Sequence, residues 1–289
     1  FNNKATLYEE SLRSMEKSLD RNPLAAEAMY LRASLYATKG KNYNPHNNNS
    51  PQFELNRARE LCESAVRSFP GSDGALHAGQ LLNELKRPHL QLSSELVNIP
   101  DQPFRSLVSY RNLNRIYLKL ISVNHEEMKA IDKKTTSELW QSLAEKKALR
   151  NWSVNLPDLQ DLQEHSAEIK TDALPPGMYV LMASKQEDFG LKDNIMARQL
   201  LYVSRIGYIS NNMNDLYVID RETGMPLTGA EVICWERNYN YQSGIVEEKE
   251  TGRYLADQNG RVNLKTKKEY SSKLYQIKYR RDELFTDDQ

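Results

Sequence analysis

Apolar positions recur at helical spacing through the first 88 residues and at alternating spacing after them. Leu12, Met15 and Leu19 stand at i, i+3 and i+7, and Leu24, Ala28, Leu31 and Leu35 continue the pattern. Asn22-Pro23 offers an N-cap followed by a proline at the first helical position, and Lys39-Gly40 offers a stop with a glycine able to turn left-handed. A third helix is expected from Phe53 to Phe69, with Leu55, Ala58, Leu61, Cys62, Ala65, Val66 and Phe69 as its stripe. Pro70-Gly71-Ser72 ends it, and a fourth runs from Ala75 to Leu85. Beyond Pro88, "HLQLSSELV", "QPFRSLVSY" and "NRIYLKLISV" alternate as strands do. In the last, Ile116, Leu118 and Leu120 face one way and Tyr117, Lys119 and Ile121 the other, which predicts a sheet with one buried face. Helix returns from 125 to about 150, through Met128, Ile131, Leu139, Leu143 and Ala144, with Thr136 or Ser137 as its cap. Strands resume near Ala167 and include "MYVLMAS", "IMARQLLYVS", "DLYVID", "AEVICWE" and "LYQIKYR". Asn259-Gly260 predicts a two-residue hairpin with positive φ at both positions.

The helical part resembles the tetratricopeptide repeat, on Asn22-Pro23 before "LAAEAMYLRASLYATKG" and on "ARELCESAVRSFPGS". Pro23 and Pro70 lie 47 positions apart, against a repeat period of about 34. The surplus matches the Asn-rich stretch Lys41 to Gln52, which should loop out because it has little apolar surface to bury.

Length and charge narrow the field. At 289 residues two or three domains are expected. Lys+Arg and Asp+Glu both number 39, so no basic excess points to nucleic acid. Tyrosine is frequent, 16 against 6 Phe, which suits half-buried strands. No apolar run reaches the roughly 18 residues of a membrane span. Phe1 opens the chain without a charged-then-apolar leader, as expected of an internal fragment.

"TGMPLTGAEVICW" (residues 223–235) resembles the opening of a macroglobulin-like domain, with Leu227 as core anchor and Gly229-Ala230 letting the chain cross closely over an opposing sheet. "YLADQNGRVNL" is similar to that domain's hairpin, with Val262 and Leu264 facing inward. "ELVNIPDQPFRSLVSYRNLNRIYLKLISV" and "LPPGMYVLMAS" resemble the preceding domain in bacterial alpha-2-macroglobulin-like proteins, particularly long Bacteroidetes forms. The resemblance implies a multidomain α+β chain. Its parts would be tetratricopeptide-like α-hairpins over 1–88 and an immunoglobulin-like antiparallel β-sandwich over 89–210 with a helical insertion at about 125–165. A second macroglobulin-like sandwich would follow over 211–289.

It further implies a non-catalytic positioning segment of an exported protease-trapping protein, in the periplasm, at the outer membrane or at the surface of a Gram-negative cell. Its expected partners are the other domains of a parent chain, with proteases or a cell-envelope protein beyond them; nucleic acid is not among them. The family's thioester motif, Cys-x-Glu-Gln, matches neither Cys62-Glu63-Ser64-Ala65 nor Cys234-Trp235-Glu236-Arg237. The alternative function is a peptide- or glycan-binding adaptor with the helical repeats as its recognition surface.

Candidate chemistry is sparse, and no catalytic, cofactor or metal residue is assigned. His46, His77, His89, His125 and His165 form neither HExxH nor a zinc spacing. His125-Glu126-Glu127 reads as a solvated helix start rather than a metal corner. Asp158, Asp161, Glu164 and His165 read as a charged outer helix face. Asp257-Gln258-Asn259-Gly260 resembles part of a calcium loop but lacks the later acid, so a plain turn is favoured. Cys62 and Cys234 read as small core residues, and Lys265, Lys267 and Lys268 as a solvated edge.

Overall fold

The computed structural model describes residues 2–211, 215–240, 245–264 and 272–287. Contacts divide the chain into two compact units. One comprises Phe1–Gln91, Val108–Ile116 and Asn155–Ala167; the other comprises Leu92–Leu107, Tyr117–Val154 and Glu168–Gln289.

The first unit is built on helices α1 (Asn2–Leu19), α2 (Ala25–Gly40), α3 (Glu54–Ser68) and α4 (Asp73–Lys86). Its core is made largely of small side chains: Ala26, Ala33, Ala37, Ala58, Cys62, Ala65 and Ala78, with Met29, Leu55 and Leu85 between them. Such residues bring helix backbones close, and Gly40 and Gly74 are where this matters most. A Cβ on Gly40 would sit 2.5 Å from Leu55 Cδ2. Gly40 is therefore kept small by packing and closes the last turn of α2 without turning left-handed. The expected cap is not formed: α2 begins at Ala25 with Leu24 at its N-cap and no side-chain cap, and Asn22 instead closes the turn before it, its side-chain oxygen accepting from Leu24 N–H at 3.0 Å. Helix α1 buries Leu12 but leaves Met15 exposed. Charged contacts hold the rest of it to α2, Glu16 with Arg32 and Glu9 with Tyr36 and Lys39.

Two later segments complete this unit. Asn112 donates to the Leu85 and Arg87 carbonyls at 2.8 and 3.2 Å, partners that the end of a helix otherwise lacks. Gln163 donates through its side chain to Gly40 O and Gln52 O, both at 3.1 Å. The expected loop from Lys41 to Gln52 is thus tied down at its C-terminal end.

The strands are β1 (His89–Ser94), β2 (Val97–Asn98), β3 (Phe104–Arg111), β4 (Arg115–Val123), β5 (Arg150–Asn155), β6 (His165–Thr171), β7 (Gly177–Ser184) and β8 (Met196–Val203). They continue with β9 (Ile206–Asn211), β10 (Asp215–Asp220), β11 (Glu231–Asn240), β12 (Ile245–Leu255), β13 (Arg261–Asn263), β14 (Ser272–Tyr279) and β15 (Asp282–Asp287). Among the described residues they form four sheets, ordered β1-β3-β6, β2-β8-β7-β4-β5, β13-β10-β9 and β12-β11-β14-β15. Helices α5 (His125–Asp132) and α6 (Thr136–Glu145) lie between β4 and β5 in sequence.

In the second unit one apolar cluster joins β4, β7, α5 and α6 to strands of both C-terminal sheets. Ile121, Met128, Leu143, Val180, Leu216, Val232 and Ile277 all belong to it. Strand β4 is buried on both faces, contrary to the single buried face that alternation predicts: Lys119 and Ile121 are buried along with Leu118 and Leu120. The helices supply the second cover. Ile121 packs in the cluster with Leu143, and Lys119 donates to Ala144 O, a carbonyl in the last turn of α6 that the helix cannot satisfy itself. Burial pushes the Lys119 ammonium pKa down. Eight residues make α5 marginal alone. A capping box between Asn124 and Glu127 fixes its start, and burial of Met128 and Ile131, worth roughly 1.5–3 kcal/mol each, fixes its face.

Several expected boundaries move. The insertion is helical only to Glu145, and Arg150–Asn155 is already a strand. The cap of α6 is Thr135, one residue before the expected pair. Neither expected cut bounds a unit. Residues after 88 contribute to the helical unit, and a cut after 210 would divide the β9–β10 pair, in which Asp215 lies opposite Asn211. The Asn259-Gly260 turn has positive φ at Gly260 alone, and the strands flanking it, β12 and β13, belong to different sheets. Gly229 has open space where a Cβ would stand; its φ of 76° is what calls for glycine.

The glycines of α4 give a matched test. A Cβ on Gly74 would lie 2.2 Å from the backbone nitrogen of Glu27, whereas one on Gly79 would meet only Val66 Cγ2 at 3.8 Å. Urea unfolding should show Gly74→Ala destabilised by about 2–4 kcal/mol and Gly79→Ala stabilised by about 0.5–1 kcal/mol. Equal effects would show that α4 does not press on α2 at Gly74.

Candidate functional site

The second unit carries a groove of about 510 Å³ alongside α5. Burial of Met128 and Ile131 turns the neighbouring stripe of the helix, His125, Lys129 and Asp132, toward it, at i, i+4 and i+7. Leu96, Met178, Leu200, Tyr202, Leu274 and Phe285 form an apolar lining. A second hollow of about 400 Å³ shares His125, Lys129, Glu248, Leu274 and Phe285 and adds Glu126, Trp235, Gln276 and Glu283.

Glu248, on β12, is the electrostatic centre. Its side chain is 9% exposed; Lys129 Nζ donates to Oε2, and Arg237 Nε donates to Oε1 at 3.1 Å. Burial pushes the carboxyl pKa up, but Lys129 and Arg237 outweigh it and hold the pKa below the ordinary glutamate value. A carboxylate so held is a weak base and a good fixed charge. The His125 ring stacks on Phe285 at 3.9 Å between centroids and 4° between planes. Its Nε2 lies 3.9 Å from Glu248 Oε2, too far for a hydrogen bond, and has no hydrogen-bond partner among the described residues. Burial lowers the His125 pKa, and Glu248 and Glu126 only partly restore it. Trp235 Nε1 is likewise buried without a hydrogen-bond partner among the described residues. The result is a set of mutually paired charges beside an apolar wall.

Most residues singled out from the sequence lie elsewhere. His125 is at a helix start, as read, but it is largely buried and not solvated, because Phe285 covers its ring. Asp158, Asp161 and Glu164 are not helical; they precede β6 in an irregular segment, and His165 begins that strand. Asp161, expected on an outer face, is 1% exposed. It accepts from Gln52 Nε2 and Gln163 N–H, each at 3.0 Å, and lies 2.8 Å from His165 Nε2. Its pKa is raised by burial but lowered overall by those bonds.

His46, His77 and His89 stand apart, His77 beside Glu27 at 3.3 Å and His89 beside Glu164 at 4.0 Å. Asp257 serves its own turn, accepting from Asn259 and Arg261 N–H at 2.8 and 2.9 Å. Cys62 and Cys234 are buried and neither is in a disulfide, and burial pushes the Cys62 thiol up to about 11. Among the described residues no three His, Cys, Asp or Glu gather as metal ligands, and no helix is long and apolar enough to cross a membrane. Lys265, Lys267 and Lys268 lie outside the described residues.

The sequence reading missed Lys129, Arg237, Glu248 and Phe285. Glu248 sits in a run, "EEKE", that reads as solvated, and only the i, i+4 pairing of His125 with Lys129 hinted at a shared face.

No protein-family model matches the chain, and no curated protein matches it in sequence. Among solved structures it is similar to a fragment of native Escherichia coli alpha-2-macroglobulin spanning domains NIE-MG1, with 17% identity and a TM-score of 0.48 over 70% of this chain and 97% of that one. A fragment spanning MG0-NIE-MG1 gives 16% and 0.49, covering 70% and 64%. Electron microscopy of the native E. coli protein gives 16% and 0.36, and the match spans 13% of that chain. Likeness at this level carries nothing about activity.

The pKa of His125 sets a pH dependence. A folded-state pKa below the ordinary 6.5 means that the unfolded chain binds the proton more readily. The stability linked to His125 is therefore complete above that value and is lost as pH falls through the folded one. The difference in unfolding free energy between wild type and His125→Phe, measured from about pH 7 to pH 5, should shrink steadily on acidification. A constant difference would mean that the ring is freely solvated.

Proposed function

We propose that this chain is a non-catalytic positioning segment of an exported, alpha-2-macroglobulin-like protease-trapping protein. Its first unit is tetratricopeptide-like, and its strands build immunoglobulin-like macroglobulin modules. The observation that carries the reading is the segment from Thr223 to Trp235. Gly224 and Gly229 sit at positive φ, Leu227 and Ala230 are buried, and the chain runs on as β11, a central strand of the four-stranded sheet. Burial of Leu227 is the core-anchor role that the macroglobulin-like resemblance asks of it, whereas Gly229 serves the turn by its positive φ and not a close crossing. The small-residue packing of α2, α3 and α4 supports helical hairpins in the same way. In this reading the groove charges, spent on one another, stiffen the unit.

The test is direct. The chain, incubated with trypsin inhibited just before analysis, or with methylamine, should show no covalent adduct by intact mass, and trypsin should keep full activity on a large substrate. In a parent protein that carries the downstream domains, removing residues 1–289 should lower the fraction of protease retained. Inhibition by the isolated chain, or undiminished trapping without it, would refute the positioning role.

A further inference from the structure

The five-stranded sheet ends on an edge that is only partly covered. Strand β2 is two residues long and pairs Val97 with Tyr202 and Asn98 with Val203, so among the described residues Met196 to Leu200 have no neighbouring strand on that side. The pairing also fixes which backbone groups point outward. Tyr202 N–H donates to Leu96 O at 2.7 Å and Ser204 N–H to Asn98 O at 2.9 Å. Alternation along a strand then turns the N–H and C=O of Arg198 and Leu200 the same way. The Gln199 side chain occupies Leu200 O at 2.9 Å. The N–H groups of Arg198 and Leu200 and the carbonyl of Arg198 meet no backbone among the described residues. The stretch contains no proline, and its register with β7 runs unbroken from Met196 to Val203, so it lacks those two protections of an exposed edge.

The groove lies beside this edge, with Leu96 and Leu200 in its lining. At its rim Asp132 is engaged by Arg198 at 2.9 Å, while Lys133 has no ion-pair partner among the described residues. We propose that the open edge of β8 receives an extended peptide strand of a partner protein, adding about five residues to the sheet in line with β2. One apolar side chain of that strand enters the groove, and an acidic residue two positions away, on the same face, meets Lys133.

A fluorescein-labelled octapeptide, Thr-Leu-Thr-Glu repeated twice, tests this by fluorescence anisotropy against the whole chain. Saturable binding is expected. Methylating the peptide nitrogens on one alternate set should weaken it at least about tenfold, and methylating the other set should leave it unchanged, because only one set faces β8. Lys133→Glu, at an exposed position, should weaken binding about tenfold, and exchanging the peptide's Glu for Lys should restore it. Absence of binding, or equal effects of the two methylated sets, would overturn the proposal. Self-association of the chain in sedimentation that the peptide does not displace would also overturn it, by giving the edge to a second copy. None of these readouts involves protease, so the positioning role stands or falls separately.

Discussion

The second unit depends on covering both faces of strand β4. Lys119, Ile121 and Val123 on one side are buried along with Ile116, Leu118 and Leu120 on the other. A sheet alone can shield only one side of a central strand, so the chain sends α5 and α6 over the other. That requirement propagates outward. Burying Met128 and Ile131 sets the rotation of α5, the rotation presents His125 and Lys129 beside β12, and the Lys129 ammonium draws in Glu248. The groove is therefore a by-product of covering the sheet, given its charge by the stripe of α5 left over.

Tight packing governs the first unit in a different way. Alanines and glycines let α2, α3 and α4 approach until side chains such as Leu55 touch the neighbouring backbone. Close helices leave carbonyl ends with little room for water, and Asn112 and Gln163 reach in from distant positions to satisfy them. Asp161 sits among these contacts as a buried anion whose bonds to Gln52, Gln163 and His165 offset the cost of desolvation.

Much of this was legible from residue order. The period change near Pro88, the four helices and most strands follow from local pattern, because each is decided by one buried face. The pattern was silent wherever a second contact intervened. Lys119 looked solvent-facing because no local rule shows that a helix carbonyl waits for its ammonium. Asp161 looked like part of a charged helix because its partner Gln52 is over a hundred positions away. The groove was invisible for the same reason: Lys129, Arg237, Glu248 and Phe285 come from four elements, and no spacing links them.

The interleaving of the first unit sets the order in which it can be finished during synthesis. Helices α1 to α4 leave the ribosome early, but the side chains that close their ends, Asn112 and Gln163, follow much later, with stretches of the other unit between them. Until residue 167 has emerged, the helices carry open carbonyl ends, and the buried place of Asp161 stands unfilled. The nascent chain must therefore hold an incomplete helical stack while much of the other unit's first half is made, a delay of several seconds at about 5–20 residues per second. A chain cut at the end of α4 would keep its helices and lose the residues that finish them.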